Sequence, residues 1–207
     1  MPVLFVPEPF VARDASAIVR DYPFALLVTT SAEGIHATSV PLFYETDDST
    51  AVLVGHMARR NAHSLSLRDG QAALAVFSGP NAYISPRWYR EKPEVPTWNY
   101  LAAHVRGLIT VTDDPAALRK ILARTAQVME RFADRPWTLE QAPDGRVESL
   151  LPMIRGIHLK IESIEGAVRL SQKHPPADRE RVAQNLLVSG VGDSVEIARM
   201  ITALPTS

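Results

Sequence analysis

The chain contains no cysteine. Disulfides, thiolate nucleophiles and Cys-based zinc sites are therefore excluded. A dominant charge is missing as well: 22 Lys and Arg stand against 23 Asp and Glu, a formal charge of −1. Attraction to DNA or to an anionic membrane has no global electrostatic source, and a nucleic-acid role would need a local basic face. No apolar run approaches the roughly 20 residues that span a bilayer. The start, MPVLFVPEPFVARD, lacks the basic residues and long apolar stretch of a secretory leader. The expectation is a cytoplasmic protein without membrane contact. Glycine-rich phosphate loops, a G-x-S-x-G elbow and H-x-x-x-H or H-E-x-x-H pairs are also lacking. The histidines, at 36, 56, 63, 104, 158 and 174, show no spacing typical of zinc ligands. Neither separated carboxylates nor an activated nucleophile stands out, so the sequence shows no catalytic acid or base.

What is present, 46% hydrophobic residues in 207, suffices for one cored domain. DASAIVRDY (14–22) reads as a short helix with Asp14 as its cap. Strand-like runs follow at FALLVTT (24–30), 36–45 and 51–57, separated by SAEG and TDDST; Pro41 marks an edge or a bulge. RRNAHSLSLRDG suggests a helix ended by Gly70, and QAALAVFSG another strand. After an aromatic loop, AAHVRGLITVTD returns to strand. A helix over 114–133 has Pro115 at its first position, and 137–146 reads as a polar surface loop. Ile157, Leu159 and Ile161 alternate with His158, Lys160 and Glu162, the clearest strand pattern in the chain. Helices over about 177–188 and 193–203 flank the Gly190 and Gly192 turn. Most gaps between strands are too short for parallel crossovers. The fold expected is mainly β with peripheral helices (α+β), an antiparallel barrel over residues 1–207 with a helical extension from about 175.

Two stretches carry the functional signal. In VLVGHMARRNAHSL, Arg59, Arg60 and Asn61 sit where a strand turns into a helix. Guanidinium groups beside the unsatisfied donors of Asn61, Ala62 and His63 suit a phosphate dianion. The same residues also suit the plain capping of a surface helix. Between Phe77 and Gly107, Tyr83, Trp88, Tyr89, Trp98 and Tyr100 crowd a polar, Pro-rich segment. Such rings wall a flat ligand or a subunit interface, and Thr97 and Asn99 offer polar contacts beside them. Both readings hold if a ligand sits between subunits. His56 and His104 fall in these stretches, whereas His158 lies on a polar strand face. Ser85 is a loop or ligand-contact residue. The C-terminal helices superficially match a helix-turn-helix, but the second carries too little basic charge to read a groove; an amphipathic pair packed on the barrel or across a dimer fits better.

At GHMARRNAH, FSGPNAYISPRWY, VPTWNY and RLSQK the chain resembles the PaiB-type family of FMN-binding negative transcriptional regulators. The resemblance runs from FALLVTT through RLSQK into DRERVAQNL, and departs from the commoner Pro, His and Asn at Ala62, Asn81 and Lys173. It implies the FMN-binding split β-barrel, homodimeric, with flavin near the subunit interface, as in pyridoxamine-phosphate-oxidase-like proteins. It further implies FMN phosphate held by Arg59, Arg60 and Asn61 with His56 adjacent. Thr38 and Ser39 would contact the ribityl chain or ring edge, and Trp98, Asn99 and Tyr100 would close the site, from the second subunit where the flavin lies between copies. The alternative activity is a flavin-dependent oxidoreductase of the same superfamily, and a third is a cofactor-free interaction protein on the same barrel. DNA as a partner has no support from charge.

Overall fold

The computed structural model describes residues 4–47, 50–90 and 95–205. Its regular elements are α1 (Ala15–Asp21), β1 (Phe24–Ser31), β2 (Gly34–Asp47), β3 (Thr50–Ala58), α2 (Ala62–Ser66), β4 (Ala72–Ile84), β5 (Thr97–Thr112), α3 (Pro115–Met129), α4 (Arg146–Leu150), β6 (Ile154–Arg169), α5 (Pro176–Ser189) and α6 (Ser194–Thr202). The strands close into a barrel in the order β1-β2-β3-β6-β5-β4. β1 pairs antiparallel with β2 and β4, and β3 with β2 and β6. The antiparallel split barrel with peripheral helices is thus the fold of this chain. No described helix is long and apolar enough to cross a membrane. The turn expected at TDDST and part of the aromatic segment fall on 48–49 and 91–94, outside the described residues. The chain divides into two compact units.

The larger unit comprises Val19–Phe77 and His104–Ile164. Its sheet turns on a change of partner within β2, which pairs with β1 as far as Pro41 and with β3 from Leu42 onward. Pro41 has no N–H to give and stands at this handover, where the Leu42 N–H donates instead to the Pro23 carbonyl at 2.8 Å. The handover drives the Pro41 carbonyl against β3: a Cβ on Gly55 would lie 2.2 Å from that oxygen. Leu27, Leu42, Leu53, Ile109, Ile157 and Leu159 are fully buried, each contributing about 1.5–3 kcal/mol by leaving water. On β6, Ile157 and Leu159 face inward as their alternation with His158 and Lys160 predicts. Asp114 caps α3 by accepting from the Ala117 N–H, and Leu118 and Ile121 are its buried face. The polar segment after α3 carries a short 3-10 turn, Leu139–Gln141, anchored by buried Leu139. α2 is shorter than the sequence suggests. It stops at Ser66 because Leu67 leaves the helical region to bury its side chain, and Gly70 belongs to the following turn, donating to the Ile109 carbonyl.

The smaller unit comprises the stretch ending at Ile18, Ser78–Ala103, and the stretch from Glu165. Here the expected aromatic loop is mostly strand, since β4 runs on to Ile84 and β5 begins at Thr97. Along β4 the buried positions are Ala73, Ala75, Phe77 and Gly79, then Pro80, Ala82 and Ile84. The inward phase slips by one residue around Gly79 and Pro80, which read as loop punctuation but lie inside a strand. Ser85 Oγ accepts from the Arg87 N–H and caps a 3-10 turn, Pro86–Trp88. α5 and α6 pack as an amphipathic pair: Val182 and Leu186 join Ile197 and Ile201 around Ile84 and Leu170. Arg181 Nε donates to the Trp88 carbonyl at 3.0 Å, and Asp178 accepts from the Arg90 N–H at 2.9 Å. Gly55→Ala should lower unfolding free energy by about 1–3 kcal/mol through overpacking, read as a reduced urea midpoint with an unchanged m-value. A neutral result would mean that the Pro41 approach does not constrain the sheet.

Candidate functional site

β3 delivers the chain into a corner that three side chains of the larger unit hold shut. Asn61 caps α2, its Oδ1 accepting from the His63 N–H at 2.9 Å while its Nδ2 donates to Thr38 Oγ1 at 3.3 Å. The His63 ring spans two threonines, with Nδ1 2.9 Å from Thr38 Oγ1 and Nε2 2.9 Å from Thr29 Oγ1. Each threonine hydroxyl can donate or accept, so either neutral tautomer of His63 satisfies both bonds. His36 stacks on this ring at 5.4 Å. Burial, and secondarily the nearby His36, holds the His63 pKa below its ordinary 6.5. Asn61 and Thr38 are therefore together as expected, with Ser39 exposed beside them on β2. His63, His36 and Thr29 join them; the sequence pointed to His63 alone, and only as a backbone donor at the helix start.

The cations are divided between structure and solvent. Arg59 Nη2 donates to the Ile154 carbonyl at 3.1 Å and pairs with Asp113 at 3.1 Å. Arg155, which the strand pattern of β6 did not single out, grips the other Asp113 oxygen at 3.2 Å and the Ser64 carbonyl at 2.9 Å. Arg60 is exposed and has no ion pair or hydrogen bond among the described residues. Two guanidinium groups thus share one carboxylate, with Arg60 next in sequence and unpaired, a local surplus of positive charge in a chain that is nearly neutral. Of the backbone donors expected to be free, Asn61 N–H is spent on the Ala58 carbonyl and His63 N–H on the cap. Arg59 Nε, His56 Nδ1 and Ser64 Oγ are buried without a hydrogen-bond partner. Burial also lowers the His56 pKa.

Trp98, Asn99 and Tyr100 belong to the smaller unit, on β5. Trp98 is 53% exposed and meets the Tyr83 ring edge-on at 6.2 Å. Asn99 points inward, 1% exposed, and donates through Nδ2 to Ser171 Oγ at 2.9 Å. Tyr100 is half-buried.

A closed antiparallel barrel of this strand order with peripheral helices is the flavin-binding split-barrel fold. Residues 4–163 match the family described as "Putative FMN-binding domain", and the chain belongs to that family. It is 31% identical over 186 residues to protease synthase and sporulation protein PAI 2 of Bacillus subtilis, covering 88% of this chain and 89% of that one. Among solved structures, the flavocytochrome Anf3 of Azotobacter vinelandii aligns with a TM-score of 0.56 at 14% identity, over 79% of this chain and 72% of that chain. The FAD and heme binding protein of Mycobacterium smegmatis aligns with a TM-score of 0.53 at 17% identity, over 76% and 71%. These two likenesses are likenesses of fold.

The cofactor of the family is FMN, and the corner fits its phosphate end. A dianion would answer the surplus of guanidinium charge, and Arg59 Nε and Ser64 Oγ are donors buried without a partner. Both lowered histidine pKa values work in one direction. The folded values lie below the unfolded 6.5, so stability present above pH 6.5 is lost as pH falls through the folded values. His36→Gln removes the smaller cause and should raise the His63 pKa, read from its ring-proton NMR titration; an unmoved pKa would show that His36 exerts no field there. In the smaller unit, Ser171→Ala and Ser171→Gly both strip Asn99 of its partner. Ser171 has φ 62, so glycine fits the backbone and alanine does not, and the alanine variant should unfold at a lower urea concentration, by about 1 kcal/mol.

Proposed function

We propose that this protein is a dimeric, flavin-responsive regulator in which FMN lies near the subunit interface. Its phosphate is held by the β3–α2 corner and its ring is closed over by a second copy of the chain. The observation that carries this reading is the division of labour between the two arginines. Arg59 is tied to Asp113 and Ile154 and shapes the corner. Arg60 has its guanidinium free for a ligand. Thr38 and Asn61, locked to each other, fix the strand edge along which Ser39 faces the ribityl chain, and His56 brings a neutral, unpartnered ring nitrogen to the same strand end. When bound, FMN supplies redox chemistry that the side chains themselves do not.

Dimerisation is supported by surface that a monomer leaves wet. Phe24 and Ile35, 67% and 78% exposed, lie on neighbouring strands of the β1–β2 hairpin with exposed Leu26 between. Trp98, Asn99 and Tyr100 of the partner would complete the flavin site, with the exposed Trp98 ring as the covering element and Asn99 as its anchor. Apolar and aromatic exposure of this kind is what subunit contacts consume. The relationship to a Bacillus protein named for protease synthesis and sporulation favours a regulatory role over a metabolic one. Balanced overall charge means that regulation proceeds through flavin occupancy and partner contacts more than through a broad basic DNA face.

Titration of the apoprotein with FMN and with riboflavin tests the corner. Arg60→Ala should weaken FMN about tenfold or more, the value of one lost charge-assisted contact, while leaving riboflavin affinity and Tm unchanged. Arg59→Ala should lower Tm as well, because it also releases Asp113 and the Ile154 carbonyl. Equal loss of FMN and riboflavin in Arg60→Ala would remove the phosphate assignment.

A further inference from the structure

We infer that the smaller unit carries a second ligand site, for a small aromatic carboxylate or phosphate monoester, in the cavity framed by the two motifs VPTWNY and RLSQK. The cavity has a volume of about 310 Å³, at the lower end of the range for small-molecule sites. Alternate residues of both motifs face it: Thr97 and Asn99 from the start of β5, and Arg169, Ser171 and Lys173 from the end of β6 and the turn beyond. Leu170 looks the other way, into the core with α5 and α6. Gln172 also turns aside. Its Oε1 accepts from the Leu170 N–H at 2.7 Å, and its Nε2 donates to the carbonyls of Val168 at 2.6 Å and Pro9 at 3.3 Å. The motif therefore sorts by parity into residues that build the turn and residues that line the hole.

Three features of the lining point to an anion with a flat body. The first is charge: Arg169 and Lys173 both stand over one ring, Phe10, at 5.1 and 5.5 Å from its centroid. None of the lining residues is acidic. Neither cation has an ion pair among the described residues, so two like charges stand at one ring with no counter-charge in the cavity lining. An oxyanion between them removes that repulsion. The second is polar preorganisation: the buried Asn99–Ser171 hydrogen bond fixes two polar groups in the wall. The third is a ring platform, Tyr89 against His174 with centroids 4.4 Å apart, on which a planar ligand stacks.

The backbone supports the same reading. Ser171 is the one non-glycine residue with positive φ among the described residues. Such strain persists only where its surroundings over-determine it. Here the Gln172 clamp and the His174 N–H donating to the Ser171 carbonyl at 3.0 Å hold it. In this conformation Ser171 Oγ accepts from Asn99, while Arg169 and Lys173 on either side of it in sequence line the cavity. Residues 169–174 lie beyond the span matched by the FMN-binding family, 4–163, and the proposal goes beyond the flavin assignment.

The test is calorimetric titration of the full-length, FMN-saturated protein with phenyl phosphate and with benzoate, using benzamide as the neutral analogue. At least one anion should bind saturably, with benzamide about tenfold weaker or undetected. Lys173→Gln, an exposed position that does not threaten folding, should weaken the anion about fivefold, and Arg169→Gln with Lys173→Gln about tenfold or more. The FMN affinity of these variants should be unchanged. Failure of both anions to bind, or binding indifferent to both variants, overturns the inference. So does competition between anion and FMN with FMN itself weakened in the double variant, which would make the cavity part of the flavin site. The Arg60→Ala comparison decides the phosphate corner separately, so either assignment can fail alone.

Discussion

The handover of β2 from β1 to β3 at Pro41 is the constraint on which the corner depends. The first half of β2 carries Thr38 and Ser39 beside β1, and the second half sets the register of β3, which ends at Ala58 and launches Arg59, Arg60 and Asn61. Thr38 meets Asn61 and His63 only because both halves are fixed at once. Proline is suited to this position, since a residue changing partners leaves its N–H without a ladder acceptor, and proline has none to leave. Gly55 is the matching concession on β3, where any side chain would enter the Pro41 carbonyl. A one-residue slip of β3 would put a Cβ-bearing residue under that carbonyl and turn every inward side chain outward. The same contact therefore forbids the wrong register and places the α2 cap over the right threonine.

The electrostatics of the corner are local, and global composition is blind to them. Half-exposed pairs such as Arg59–Asp113 contribute about 0–1 kcal/mol to stability, too little to explain two arginines converging on one aspartate. Geometry explains it better. Asp113 holds two guanidinium groups by one oxygen each, and Arg155 extends the brace to the Ser64 carbonyl inside α2. The carboxylate acts as a spacer that keeps cations near one another without cancelling them. Arg60 lies outside this brace, exposed and without an ion pair among the described residues.

The sequence was most legible where one periodicity ran unbroken. β6, α3 and the C-terminal helix pair fall where their patterns put them, because each keeps one buried face along its length. It was least legible from Ser78 to Tyr100. Gly79 and Pro80 there mimic a loop while producing a one-residue change of inward phase in a continuing strand. Tyr83 and Trp98 stay exposed on strands, so rings that break the hydrophobic period looked like loop residues. At the corner, Arg59 and Asn61 were visible from the turn they occupy, but their internal partners were not. Asp113, Arg155 and Thr29 are distant in sequence and become neighbours only through barrel closure, which no local pattern encodes.

RLSQK shows how a short string divides between support and exposure. A turn that merely ended β6 would favour glycine at the left-handed position, where serine costs about 1–2 kcal/mol more. Serine is held there by three hydrogen bonds from the Gln172 side chain and one from the His174 N–H. That investment is out of proportion to capping a strand, whose burial is already secured by Leu170 in the α5–α6 core. Its geometric yield is a hydroxyl facing Asn99 and two cations over Phe10. Structure that is strained, braced and left with uncompensated charge is most economically understood as awaiting a counter-charge. At this turn the bracing residues and the lining residues alternate, so a single substitution can remove the charge without touching the brace.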